Sequence, residues 1–236
     1  ACLRRSDDRA PMTQLTRRDF IEAAAASAAL YAGSAPSAWA REARGKPVAE
    51  SLGARLAVIS GGGGNVLALG SDEGVLLVDG GDAASSSALL KLAQGQVGAA
   101  GIHTLFNTHW HPEQTGSNDR LGKQGARIIA HENTRLWLST TVRYEPDGPP
   151  FLPLQKEGRP NLTTWRDGQR VAGDETLQYG YLSQAHTDGD LYVHFTKSDV
   201  LVTGGVVAGN GWPTADWVTG GWINGTVAGY QALINR

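Results

Sequence analysis

His109 and His111 stand one residue apart just past an apolar run, 102–106. Side chains at i and i+2 of an extended segment point the same way, so both imidazoles can reach one cation. Glu113 and Gln114 follow within three residues, placing a carboxylate and an amide beside the pair. Imidazole and carboxylate are the ligand types of a zinc site that uses no thiolate. Further along, the segment Ala185-His186-Thr187-Asp188-Gly189-Asp190 leads into an alternating strand. Asp79 follows the continuous apolar run 75–78, the mark of a strand buried on both faces. A carboxylate there can belong to a site, although a turn-stabilising Asp is the commoner case. Asp79, Asp190 and Gln114 are therefore candidate second-site or substrate contacts. Two further histidines read as structural. His131 sits at a strand-to-helix junction, where capping is expected, and His194 lies inside an alternating strand.

The elements that must position these residues alternate along the chain. Strands are predicted at 55–60 and 65–69, joined by Gly61-Gly62-Gly63-Gly64, and then at 75–78, 102–106 and 126–130. Four glycines invite a phosphate-loop reading, but no Gly-Lys-Ser/Thr follows, and a hairpin fits better. Helices are expected over 83–97, from 116 to 121, and from His131 onward. Residues 143–162 hold five of the ten prolines and read as a long surface loop. Further strands are expected at 176–177, 179–182, 191–195 and 200–203, with a last helix at 226–234. The polar stretch 41–52 reads as a leader into the domain.

Composition narrows the function classes. The chain has 236 residues, enough for one well-packed domain, and its net charge of -2 gives no reason to expect nucleic acid as a partner. The only cysteine, Cys2, precedes the only methionine, Met12; a chain starting there would have neither disulfides nor thiolate metal sites. Near the start, Thr16-Arg17-Arg18-Asp19-Phe20-Ile21 resembles a twin-arginine export motif. A small-residue stretch from 23 to 35 follows, then Ala38-Trp39-Ala40, which has the form of a cleavage site. The expected division is therefore 1–40, an N-terminal extension with a cleavable signal peptide, and 41–236, the mature domain. The apolar run is too short and weak for a permanent membrane span. A periplasmic location and transient contact with the twin-arginine machinery follow as expectations.

The order of these features resembles the metallo-β-lactamase fold: Asp79-Gly, His109-x-His111, His186-Thr-x-Gly-Asp190, then a strand ending at Thr203-Gly. The resemblance covers about residues 55–235 and implies an α+β architecture, an αββα four-layer sandwich with two mixed sheets flanked by helices. It implies a first metal position held by His109, His111 and His186. The family's second position departs here at every residue. Glu113 replaces an Asp, Gln114 a His, and Gly205 the bridging Asp; the chain reaches Arg236 without the family's last His, so a C-terminal truncation is expected. One zinc ion is expected, the second weak or absent, with Glu113 as the residue that orients or deprotonates water. Three functions remain open. The first is an exported hydrolase using a zinc-bound hydroxide on a small-molecule ester, lactone, thioester or amide. The others are a catalytically weakened or non-catalytic binding member of the fold, and a true β-lactamase.

Overall fold

The computed structural model describes residues 45–143, 149–209 and 211–236. The twin-arginine motif, Cys2, Met12 and the cleavage-site pattern lie outside the described residues.

A seven-stranded sheet comes first, with its strands side by side in chain order. It contains β1 (Val48–Ser51), β2 (Leu56–Ser60), β3 (Val66–Ser71), β4 (Gly74–Val78), β5 (Ile102–Phe106), β6 (Arg127–His131) and β7 (Leu162–Thr164). The first four strands form an antiparallel meander, and β4 to β7 are parallel. The parallel steps require crossovers. Helix α1 (Ser86–Val97) makes the first, and the short helices α2 (Pro112–Thr115) and α3 (Asn118–Lys123) lie in the second. Helix α4 (Glu132–Trp137) follows β6. The second sheet holds β8 (Gly168–Ala172), β9 (Glu175–Leu182), β10 (Asp190–Phe195) and β11 (Val200–Val202), and its pairings are antiparallel throughout. Helix α5 (Ile223–Ile234) ends the chain.

The layers follow from the period of two. Along β2 to β6, one set of alternate side chains, with Ala57, Ile59, Ala68, Leu77, Leu105 and Ile128 among them, packs with Leu89, Leu90, Ala93 and Val97 of α1. The other set, including Leu67, Leu76, Val78, Phe106 and Ile129, meets Leu177, Val193 and Phe195 of the second sheet. On the far side of that sheet, Leu182 and Tyr192 pack with Leu233 of α5. The order helix, sheet, sheet, helix is thus written in which residues alternate.

Three expectations need correction. The polar segment read as a leader contains β1, because Val48 to Ser51 add antiparallel to β2 at the sheet edge, where side chains need not be apolar. Strands were not expected at β7 and β8, whose partly exposed residues give weak periodicity. The second sheet is antiparallel rather than mixed, since hairpins join its consecutive strands without a helical crossover.

Candidate metal centre

The site forms beyond the ends of β4 and β5, the edge where parallel strands leave a crevice. Asp79 leaves β4 with φ of 65°, and its N–H donates to the Phe106 carbonyl at 2.7 Å. This turn aims its carboxylate at the next strand's exit. There Oδ1 accepts from Thr108 N at 2.8 Å and Oδ2 from Thr108 Oγ1 at 2.8 Å. The second sheet closes the other side, with Leu191 N donating to the Thr108 carbonyl at 2.7 Å. Asp190 builds the matching turn there, accepting from Thr187 N and Oγ1, both at 2.8 Å. Asp79 and Asp190, 2% and 1% exposed, thus brace the two segments that carry histidines and stand behind the site. Burial raises both carboxyl groups far above the usual range, Asp79 to about 7 and Asp190 to about 8.

The structure brings His109, His111 and His186 together. Ring centroids lie 4.7 to 4.8 Å apart, with planes inclined by 74° to 90°. One ligand atom from each falls within 4.8 Å of the other two. The outward nitrogens all face oxygen. His109 Nδ1 lies 3.0 Å from Thr108 Oγ1, which spends its own proton on Asp79. His186 Nδ1 donates to the Thr214 carbonyl at 2.8 Å, and His111 Nε2 to Asp216 Oδ2 at 2.9 Å. Each ring that donates outward keeps a lone pair on its inner nitrogen.

His111 Nδ1 and His186 Nε2 then face one another at 3.2 Å. Two lone pairs at that distance repel unless a cation lies between them, and tetrahedral zinc with nitrogen ligands at about 2.05 Å sets them about 3.3 Å apart. The donor set and its spacing therefore fit a divalent metal. Protonation is a poor substitute. Burial, followed by the neighbouring imidazoles, holds His109 well below the usual histidine range; burial and then His111 bring His186 to about 4.

Glu113 stands at the rim, its side chain 31% exposed and its Oε1 3.6 Å from His111 Nδ1. Both come from one short stretch: His111 caps α2, Pro112 starts it, and Glu113 follows in the first turn. Gln114 turns toward the β2–β3 hairpin. A Cβ at Gly64 would lie 2.3 Å from its Nε2, so the hairpin backbone packs directly against this side chain, and Gly64 N donates to the Glu113 carbonyl at 3.0 Å. Gln114 Oε1 is buried without a hydrogen-bond partner among the described residues. The four-glycine segment is thus a hairpin fitted against the metal-side helix.

Asp216 is a site residue that the sequence reading missed. Its signal was available: it is the single charged residue between Val200 and Asn235, so burial of that segment must either satisfy or exploit it. Trp110 is buried at 2% and donates from Nε1 to Thr219 Oγ1 at 2.9 Å, whereas Trp212, Trp217 and Trp222 are 89%, 74% and 59% exposed.

His131 is not part of the trio. It caps α4 by accepting from Asn133 N at 3.1 Å and stacks on Tyr181 at 4.1 Å. His194 lies on β10 with Nε2 3.2 Å from Asp199. Burial lowers the His131 pKa to about 4. The unfolded chain takes up that proton near pH 6.5, so this histidine favours the fold above 6.5 and loses its contribution as pH falls toward 4. His131→Phe keeps the stack but cannot titrate. In urea unfolding, the margin of wild type over this variant is expected to shrink between pH 6.5 and 4. A margin independent of pH would show that the folded ring titrates normally.

Comparison with known proteins agrees with this architecture. The family described as "Metallo-beta-lactamase superfamily" matches residues 59–234. Among solved structures, a metallo-beta-lactamase from Pontibacter korlensis is similar at 17% identity, with 80% of this chain and 86% of that chain covered and a TM-score of 0.63. The subclass B3 metallo-beta-lactamase of Bradyrhizobium japonicum is similar at 20% identity, covering 80% of this chain and 74% of that one, with a TM-score of 0.60. No curated protein sequence matches.

Proposed function

We propose that this chain, which belongs to the metallo-beta-lactamase superfamily, is a single-zinc hydrolase of small-molecule esters, lactones, thioesters or amides. The observation that carries this reading is the His109–His111–His186 cluster, with ligand atoms mutually within 4.8 Å. His109 and His186 would hold the ion through Nε2 and His111 through Nδ1. When bound, zinc with an open fourth position supplies Lewis acidity, polarising a carbonyl oxygen and bringing the pKa of a water to roughly 7.

The remaining work falls to the chain's own groups. Glu113, at the rim beside His111, orients water and takes up its proton. The buried brace formed by Asp79 and Thr108 holds His109 in one tautomer, which limits reorganisation as charge develops. Gln114 turns toward Gly64 and offers a neutral amide where the family has a histidine, which supports one metal rather than two. The order of the twin-arginine motif, small-residue stretch and Ala38-Trp39-Ala40 in the sequence supports export to the periplasm.

A panel of chromogenic ester, lactone, thioester and β-lactam substrates, each with and without chelator, tests the reading. Chelator-sensitive turnover supports it. Full zinc occupancy with no turnover across the panel favours the alternative of a binding protein, to which the altered residues Gln114 and Gly205 already point. Once a substrate is found, Glu113→Gln is expected to lower kcat by roughly 10²–10⁴-fold with zinc content unchanged. A kcat close to wild type removes Glu113 from the mechanism.

A further inference from the structure

Two of the three histidines present Nε2 to the centre of the cluster, and His111 presents Nδ1. We propose that Asp216 is the positioning residue that fixes this exception, holding the proton of His111 on Nε2 so that Nδ1 is left for the metal. The proposal rests on the reading above that the trio holds a cation.

The carboxylate is built into a buried turn. Asp216 is 1% exposed and caps the 3-10 turn Trp217–Thr219. Its Oδ1 accepts from Val218 N at 3.1 Å and Thr219 N at 3.3 Å. Its Oδ2 accepts from Thr219 Oγ1 and, at 2.9 Å, from His111 Nε2. Val218 N, Thr219 N and Thr219 Oγ1 already donate to this carboxylate as an acceptor, so His111 Nε2 completes the set as a fourth donor and its tautomer is fixed.

The same segment also holds His186. The Thr214 carbonyl accepts from His186 Nδ1, and Asp216 N donates to the His186 carbonyl at 2.7 Å. Asp188 N donates to the Thr219 carbonyl at 2.9 Å, and Gly221 N to the Asp216 carbonyl at 2.7 Å. One loop thus sets the orientation of two histidines that lie 75 residues apart in the chain. Of the three oxygens that meet the outer nitrogens directly, Asp216 alone offers a carboxylate; Thr108 offers a hydroxyl and Thr214 a carbonyl. A carboxylate behind a ligand imidazole raises its basicity toward the metal.

Asp216→Asn separates the two jobs of the side chain. Its carbonyl oxygen can keep accepting from Val218 and Thr219, preserving the turn, while its NH2 takes the place of Oδ2. An NH2 facing His111 Nε2 must donate, so the imidazole proton moves to Nδ1 and blocks the metal face. The test uses the full chain. Zinc affinity is measured by competition with a chromophoric chelator, and the His111 tautomer by long-range proton–nitrogen NMR on zinc-free protein. Wild type is expected to show His111 protonated at Nε2. The variant is expected to show Nδ1 protonation and a zinc affinity lower by about 10–100-fold, with a near-wild-type urea midpoint. The wild-type tautomer decides the matter even if the variant does not fold: His111 protonated at Nδ1 in wild type overturns the proposal. A variant with unchanged tautomer and affinity also overturns it, while leaving the metal reading intact. A wild-type chain that binds no zinc overturns both.

Discussion

His109→Ala and His111→Ala are each expected to weaken zinc binding by on the order of 10²–10⁴-fold. That is the share of one ligand when a site of about 10–16 kcal/mol is divided among three or four. The three inner nitrogens act as one unit, because each is aimed by a separate outer partner: Thr108, Asp216 and Thr214. Removing His111 also leaves a buried carboxylate facing a void, so metal-free His111→Ala should be less stable than His109→Ala, whose outer partner is a hydroxyl. Added zinc should raise the urea midpoint of wild type and leave that of both variants almost unchanged, since a ligand stabilises only the state that binds it. Metal analysis after gel filtration gives an independent check. Unchanged zinc content in either variant would show that the histidines are not the ligands.

The legible parts of this molecule were those in which chemistry and periodicity coincide locally. His109 and His111 announce themselves as a pair because they stand two residues apart just past β5, and β4 betrays its double burial in the unbroken apolar run 75–78. His186 could be added only through the family resemblance, whose His-Thr-x-Gly-Asp pattern it opens and Asp190 closes. The illegible parts depend on tertiary placement. Nothing local to Asp79 says that its carboxylate faces Thr108 rather than substrate; that follows from its left-handed φ of 65° and the register of β5 beside β4. Asp216 reaches His111 across 105 residues, and no spacing rule spans that distance. The edge strand β1 and the partly exposed β7 and β8 have too little alternation to announce themselves. Gly205 was legible as a departure from the family pattern, but its physical meaning was not.

That meaning yields the other large expected effect. A Cβ built on Gly205 would lie 2.2 Å from His186 Cδ2 and 2.5 Å from its Nε2, far inside contact distance. The imidazole cannot simply step aside. Its Nδ1 is bonded to the Thr214 carbonyl, and its own carbonyl accepts from Asp216 N. Even Gly205→Ala must therefore displace a candidate ligand, and strain of about 1–3 kcal/mol in a packed site corresponds to roughly 5–150-fold in zinc affinity. Gly205→Asp, which restores the carboxylate of the family pattern, is expected to fare no better. The new side chain enters space already filled by the His186 ring, so it should weaken the first zinc instead of recruiting a second. Zinc titration of both variants beside wild type checks this, with one ion per wild-type chain as the baseline. Two tightly held ions in wild type at low free zinc would sink the single-metal reading. Two in Gly205→Asp with the first affinity intact would instead show that His186 has room to move, and that the missing carboxylate alone had kept the second ion out.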